Sequence, residues 1–169
     1  MKKNQIGELK SIPFSCRCMF LVISLIIIGL DQLSKYIARD NLVFAEAKVL
    51  VAHWNWSLNY NQGAAFSFLA NEASWSKIFF GVIAVAVSIG LIYYVLYRSY
   101  SYLVGISLSF ILGGAVGNLV DRIIFGRVTD FIDWYYGSYH WPTFNVADSF
   151  ISVGVTLLII DSIFCKKDH

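Results

Sequence analysis

Two aspartates in this chain, Asp130 and Asp148, have the surroundings that reacting carboxylates need. Asp130 stands in Val128-Thr129-Asp130-Phe131-Ile132-Asp133, where apolar flanks would strip water from a carboxylate and raise its pKa. Asp148 closes Phe144-Asn145-Val146-Ala147-Asp148 inside an apolar stretch, and an acid at membrane depth is a functional hypothesis by default. Two carboxylates converging from separate elements admit three chemistries. With one shared proton, one acid stays neutral while the other acts as base toward water, as in an aspartic peptidase. A metal centre would want more oxygen or imidazole ligands, and the outward histidines, His53 and His140, form neither HExxH nor a paired spacing. A transporter would want a polar path through the helices, yet the second and third apolar runs carry no ionisable residue at mid-depth.

Each polar residue also has a structural reading. Asp148 near a helix start could cap it. Asp31 and Lys35, four apart, share a helical face and form an intrahelical ion pair, with Lys35 free to snorkel outward. Asp121 and Arg122 at a helix end read as an interfacial charge pair, and a guanidinium at that depth also suits a phosphate or a peptide carbonyl. Gly113 and Gly117 make a small-xxx-small pair that lets another helix approach closely. From Gly114 the same face continues through Asn118 to Asp121, so a polar stripe grows out of a packing groove. Asp133 reads as a surface residue, and Asp161 as interface chemistry near Lys166 and Lys167.

The elements that must position these groups follow from composition. Of 169 residues, 57% are hydrophobic and only 14% charged, which points to lipid as the solvent. Apolar runs predict four membrane helices at about 18–38, 75–97, 101–120 and 145–164, each near the ~20 residues a span requires. The basic start leading into an apolar run resembles a signal peptide, but no small-residue cleavage site follows. Between the first two spans, segment 39–74 breaks the pattern. There Trp54, Trp56, Leu58 and Tyr60 alternate with His53, Asn55, Ser57 and Asn59, the period of a half-buried strand, ending in the turn Asn61-Gln62-Gly63.

The expected fold is therefore a membrane all-α core with a small extracytoplasmic β-sheet and a short periplasmic helix, one integral-membrane domain over 1–169, with an outer connection at 121–144. Four spans put both termini on one side, together with Lys2, Lys3, Lys10, Arg17, Arg98, Lys166 and Lys167, which the positive-inside rule makes cytoplasmic. Cys16, Cys18 and Cys165 form no zinc spacing and no even disulfide framework. A net charge of +2 leaves no nucleic-acid footprint.

Five blocks carry a family resemblance. They are Asp31-Gln32 through Lys35, Asn61-Gln62-Gly63-Ala64-Ala65-Phe66-Ser67, Gly113-Gly114-Ala115-Val116-Gly117-Asn118-Leu119-Val120-Asp121-Arg122, Val128-Thr129-Asp130-Phe131 and Phe144-Asn145-Val146-Ala147-Asp148. In this order, over nearly the whole chain, they resemble the motifs of lipoprotein signal peptidase, or signal peptidase II. The resemblance implies an aspartic endopeptidase of the bacterial inner membrane, working at the periplasmic face. It would remove the signal peptide of a prolipoprotein just before a cysteine carrying diacylglycerol, with no cofactor and no metal.

Asp130 and Asp148 match the catalytic pair of that family. Asn61, Gly63, Asn118, Asp121, Arg122 and Asn145 match residues that line the site and hold peptide or lipid, while Asp31 and Lys35 match a structural block. Gly114 and Gly117 take packing roles. Implied partners are prolipoproteins, membrane phospholipid and globomycin-type cyclic peptide inhibitors. Gln62 and Thr129 are minor departures from the pattern. The GxGD signature of presenilin-type peptidases is lacking.

Overall fold

Residues 12–62, 73–98 and 100–164 are described in the computed structural model. Four long helices dominate them: α1 (Phe14–Asn41), α2 (Ala73–Tyr97), α3 (Tyr102–Phe125) and α4 (Val146–Phe164). Each has a stretch long and apolar enough to cross a membrane. At about 1.5 Å per residue, the 28 residues of α1 outrun a hydrocarbon core of about 30 Å. Its polar end, from Asp31 to Asn41, therefore reaches toward the sheet described below.

α3 runs five residues past the expected end at Val120. Nothing in Asp121-Arg122-Ile123-Ile124-Phe125 breaks a helix, and the stop comes at Gly126, whose φ of 66° few other residues adopt and whose N–H caps Arg122 O. Asp121 and Arg122 are thus helical side chains rather than part of a connection. At the other end Ser101 caps the helix by accepting from Val104 N at 3.2 Å.

α3 lies between α1 and α4, and two glycines set how closely. A Cβ on Gly117 would sit 2.6 Å from the Asp31 carboxylate of α1. On Gly114 it would overlap Ala147 O and meet Ile151 at 2.7 Å, both on α4. The stripe of small residues therefore admits a helix on each side. Ser24 Oγ adds a bond across α1 and α3, donating to Ser109 O at 3.0 Å.

At the end of the bundle where α1 and α3 finish and α4 begins stands an antiparallel sheet in the order β1-β2-β3-β4. Its strands are β1 (Ala47–Val51), β2 (Trp54–Asn61), β3 (Val128–Tyr136) and β4 (Tyr139–His140). β2 is the strand expected from the alternation, although a register shift between Trp56 and Asn59 interrupts the pattern. Asn55 and Ser57 are buried along with Leu58.

β3 crosses what sequence alone left as a connection. Its β-branched and aromatic residues carried the signal, and two aspartates masked it. Phe131 and Ile132 pack on Ala38 of α1 with Leu42, Trp56, Phe144 and Val146, fixing the sheet to the bundle. Trp54, Trp134, Tyr136, Tyr139 and Trp141 stand exposed on the sheet, a composition suited to the headgroup layer. No short helix accompanies the four long ones among the described residues.

Candidate active site

Asp130 comes from β3 and Asp148 from the first turn of α4, and the backbone between them explains why they meet. Phe144 folds back on β3, donating its N–H to Ile132 O at 3.1 Å and accepting from Ile132 N at 2.9 Å. The next residue, Asn145, is thereby delivered beside Asp130. Asn145 also opens α4: its Oδ1 accepts from Asp148 N at 3.0 Å, while Asp148 Oδ2 accepts from Asn145 N at 3.2 Å. This is a reciprocal capping box with an aspartate in the usual glutamate place. The capping expected of Asp148 is real, and it occupies only one of the two oxygens.

The other oxygen, Asp148 Oδ1, accepts from Asn118 Nδ2 of α3 at 2.8 Å. Asn145 Nδ2 in turn reaches Asp130 Oδ1 at 2.7 Å and Asn118 Oδ1 at 3.1 Å. Two amides therefore tie the two carboxylates together. Asn61 at the end of β2 also hydrogen-bonds Asp130. Asp130 is only 2% exposed. Burial first, then the negative charge of Asp148, pushes its pKa up to about 7 against the hydrogen bonds of Asn145 and Asn61 and the charge of Lys35. The burial expected from the apolar flanks is present and acts in the expected direction, with a second acid as a further cause.

Asp148 is half-buried, and it lines a cavity of about 450 Å³ shared with Trp134, Trp141, Phe144, Ser149, Ser152 and Val153. A partly neutral acid, a neighbouring carboxylate and an open apolar groove are the parts a water-activating pair requires.

Asp121 is wholly buried and spends its oxygens on the fold: Oδ2 accepts from Thr129 N at 2.8 Å, and Oδ1 lies 3.6 Å from Arg39 Nη1. It anchors β3 one residue before Asp130 and makes no charge pair with Arg122. Arg122 donates to Asn118 O at 3.2 Å, lies over the Phe80 ring and feels the charges of Asp148, Asp130 and Asp121. Asp31 and Lys35 do pair, at 2.8 Å, but both are fully buried, so Lys35 does not snorkel. It cannot, because Gly117 brings α3 over it and Asn118 and Asp121 receive its ammonium. Asp31 Oδ1 also accepts from Ala147 N at 2.9 Å, linking α1 to the start of α4.

One further expectation changes. Asp133 is buried rather than at the surface, because Asn55 Nδ2 donates to it at 2.9 Å and His140 Nδ1 lies 2.8 Å away. Asp161 accepts from Ser101 Oγ at 2.9 Å, and Lys166 and Lys167, the neighbours expected for it, lie outside the described residues. Gly63 does as well.

Sequence reasoning missed Arg39, Gln32 and Thr129. Arg39 donates to Thr129 Oγ1 at 3.0 Å, and Gln32 Nε2 bridges Gly117 O at 2.9 Å and Asp31 Oδ2 at 3.1 Å. The spacing of Asp31, Lys35 and Arg39, four apart on one helix face, was the available signal for Arg39.

A family model described as signal peptidase (SPase) II matches residues 23–164. The lipoprotein signal peptidase of Polynucleobacter necessarius is 48% identical over 141 residues, covering 83% of this chain and 86% of that one. That of Hydrogenovibrio crunogenus is 44% identical over 149 residues, covering 87% and 86%. A solved structure described as a bacterial membrane enzyme superposes with a TM-score of 0.77 at 31% identity, covering 89% of this chain and 94% of its own. With four span-length helices and nearly its whole motif-bearing length matched, the chain belongs to the signal peptidase II family, the lipoprotein signal peptidases, and is a multi-pass membrane peptidase.

Proposed function

We propose that the chain hydrolyses the peptide bond immediately before the diacylglyceryl-modified cysteine of a prolipoprotein, with Asp130 and Asp148 as an aspartic pair. The observation that carries this reading is the buried Asp130, its pKa near 7, joined to Asp148 through Asn118 and Asn145. A pair of this kind works with one shared proton, for which the raised pKa suits Asp130, while Asp148 lines the groove.

In the reaction Asp148 takes a proton from water as the water oxygen attacks the scissile carbonyl carbon. Asp130 gives its proton to the carbonyl oxygen, producing a neutral gem-diol. As the carbon–nitrogen bond breaks, Asp148 returns its proton to the leaving amine and Asp130 recovers one from the diol. The pair ends with the single proton it began with. Asn118 and Asn145 hold the carboxyl planes for this exchange, and Asn61 steadies Asp130. Arg122 supplies a donor for a peptide carbonyl or a lipid phosphate, with Gly63 as part of the same wall by resemblance. Asp121 contributes by holding β3.

The same reading puts the protein in the bacterial inner membrane, both termini in the cytoplasm and the sheet on the periplasmic side. The basic Arg17 and Arg98, at the end of the bundle away from the sheet, support that orientation. Phospholipid surrounds the spans, and globomycin-type cyclic peptides compete for the groove.

The test reconstitutes the full chain in lipid with a diacylglyceryl prolipoprotein and compares it with Asp130→Asn and Asp148→Asn. Each substitution should lower turnover by about 10²–10⁴-fold. Full cleavage by either variant would sink the pair, and loss of activity in EDTA would favour a metal hydrolase.

A further inference from the structure

The reaction as written uses both acids and both amides but not the buried cation beside them. Lys35 is wholly buried, and its ammonium meets Asp31 Oδ2 at 2.8 Å, Asn118 Oδ1 at 2.8 Å and Asp121 Oδ2 at 3.8 Å. Balancing Asp31 would not require the bond to Asn118. That bond has a directional consequence, because an ammonium only donates. Asn118 must turn its oxygen to Lys35, and its Nδ2 then faces Asp148 Oδ1 at 2.8 Å. The same oxygen accepts from Asn145 Nδ2, the group that also reaches Asp130. Reversing the Asn118 amide would set oxygen against carboxylate and NH₂ against ammonium, two repulsive contacts in place of two attractive ones.

We propose that Lys35 is a positioning residue for the reaction: by fixing the Asn118 amide it aims the donors that hold Asp148 and, through Asn145, Asp130. The proposal rests on the reading of those acids as the reacting pair.

Charge makes the role measurable apart from folding. Lys35 faces Asp31 on its own helix and Asp121 on α3, and Asp121 also lies near Arg39, so four charges balance. Asp130 faces Asp148 on α4, with Asn145 and Asn61 as donors, and interacts with Arg122 of α3 and with Lys35. The positive Lys35 holds Asp130 down, so its loss lets that pKa rise above about 7. Because the reaction needs Asp130 neutral, the basic limb of the rate profile then moves to higher pH.

The experiment uses the full chain in lipid nanodiscs with a diacylglyceryl prolipoprotein. Lys35→Met is compared with Asp31→Asn/Lys35→Met, which leaves no unpaired buried charge on α1 and retains an Oδ1 for Ala147 N, and with Lys35→Gln, which keeps a donor. Thermal unfolding, kcat, KM and the pH–rate profile are read for each. Folded Lys35→Met or the double variant should lose about 10²-fold in kcat, the scale of a misplaced reacting group. KM should hold, Lys35→Met should show the displaced basic limb, and Lys35→Gln should recover part of kcat. A folded variant with wild-type kcat and profile overturns the proposal. Loss of fold in all three variants would also overturn it, since Lys35 would then serve the fold alone. Activity surviving in Asp130→Asn or Asp148→Asn would instead remove the acid pair itself.

Discussion

Replacing Asp130 by asparagine should stabilise this protein while silencing it, and the gain should depend on pH in a defined way. The pKa of Asp130 rises from 3.8 to about 7 on folding, chiefly by burial and then by the charge of Asp148. Above 3.8 the unfolded carboxyl loses its proton while the folded one keeps it, so the native state binds more protons and stability falls as pH rises. The fall begins near 3.8, continues to about 7 and is complete above that. At about 1.4 kcal/mol per unit, the shift of roughly three units costs the native state about 4 kcal/mol at alkaline pH. Asparagine carries no such cost and retains an oxygen for Asn145 Nδ2. For a chain of this size about 4 kcal/mol corresponds to a Tm difference on the order of 10 °C. Thermal unfolding of both proteins in the same detergent, from pH 4 to pH 9, measures it. The melting temperatures should nearly coincide at the acid end and separate steadily up to about pH 8. A separation that stays constant with pH would refute the reasoning, because it would place the raised pKa elsewhere or nowhere.

In the proposed reaction the same acid sets the rate. Since Asp130 must be neutral to donate, wild-type kcat/KM should decline as pH rises through about 7, read by initial rates on a diacylglyceryl prolipoprotein. Gly117→Ala puts a methyl 2.6 Å from the Asp31 carboxylate and should destabilise by about 1–3 kcal/mol, whereas Gly29→Ala, with open space around it, should not; detergent melts of the two decide it. Asn145→Ala removes the α4 cap, costing about 1 kcal/mol in unfolding, and should also lower kcat more than it raises KM, because Asp130 loses a donor and Asn118, which holds Asp148, loses a partner of its own.

The helices were legible because apolar length is a one-dimensional property, and their ends were less so because caps are local. The stop at Gly126 could be read only by letting α3 pass through two charged residues. β3 stayed hidden for a related reason: Asp130 and Asp133 lower its apparent strand character, yet each is satisfied by a partner from another segment. The acids of the candidate site were visible from flanking residues alone. What sequence could not convey was direction. Asn118 and Asn145 were legible as polar residues near the acids, but which atom faces which acid depends on Lys35, some eighty positions away in sequence from Asn118. That lysine looked like an interfacial charge because a helix periodicity specifies a face and not what covers it.

Asp130 and Asp133 make the point on a single strand. They lie three residues apart in β3 and are almost equally buried, 2% and 4% exposed, so loss of water does not separate them. Their neighbours do. Asp133 has an amide from Asn55 and an imidazole from His140, a partner able to carry positive charge. Asp130 has two amides and, beyond them, a second carboxylate. A buried acid beside a group that can balance it holds the sheet together. A buried acid beside another acid must keep a proton to remain buried, and the kept proton is what a hydrolytic pair has to offer its substrate.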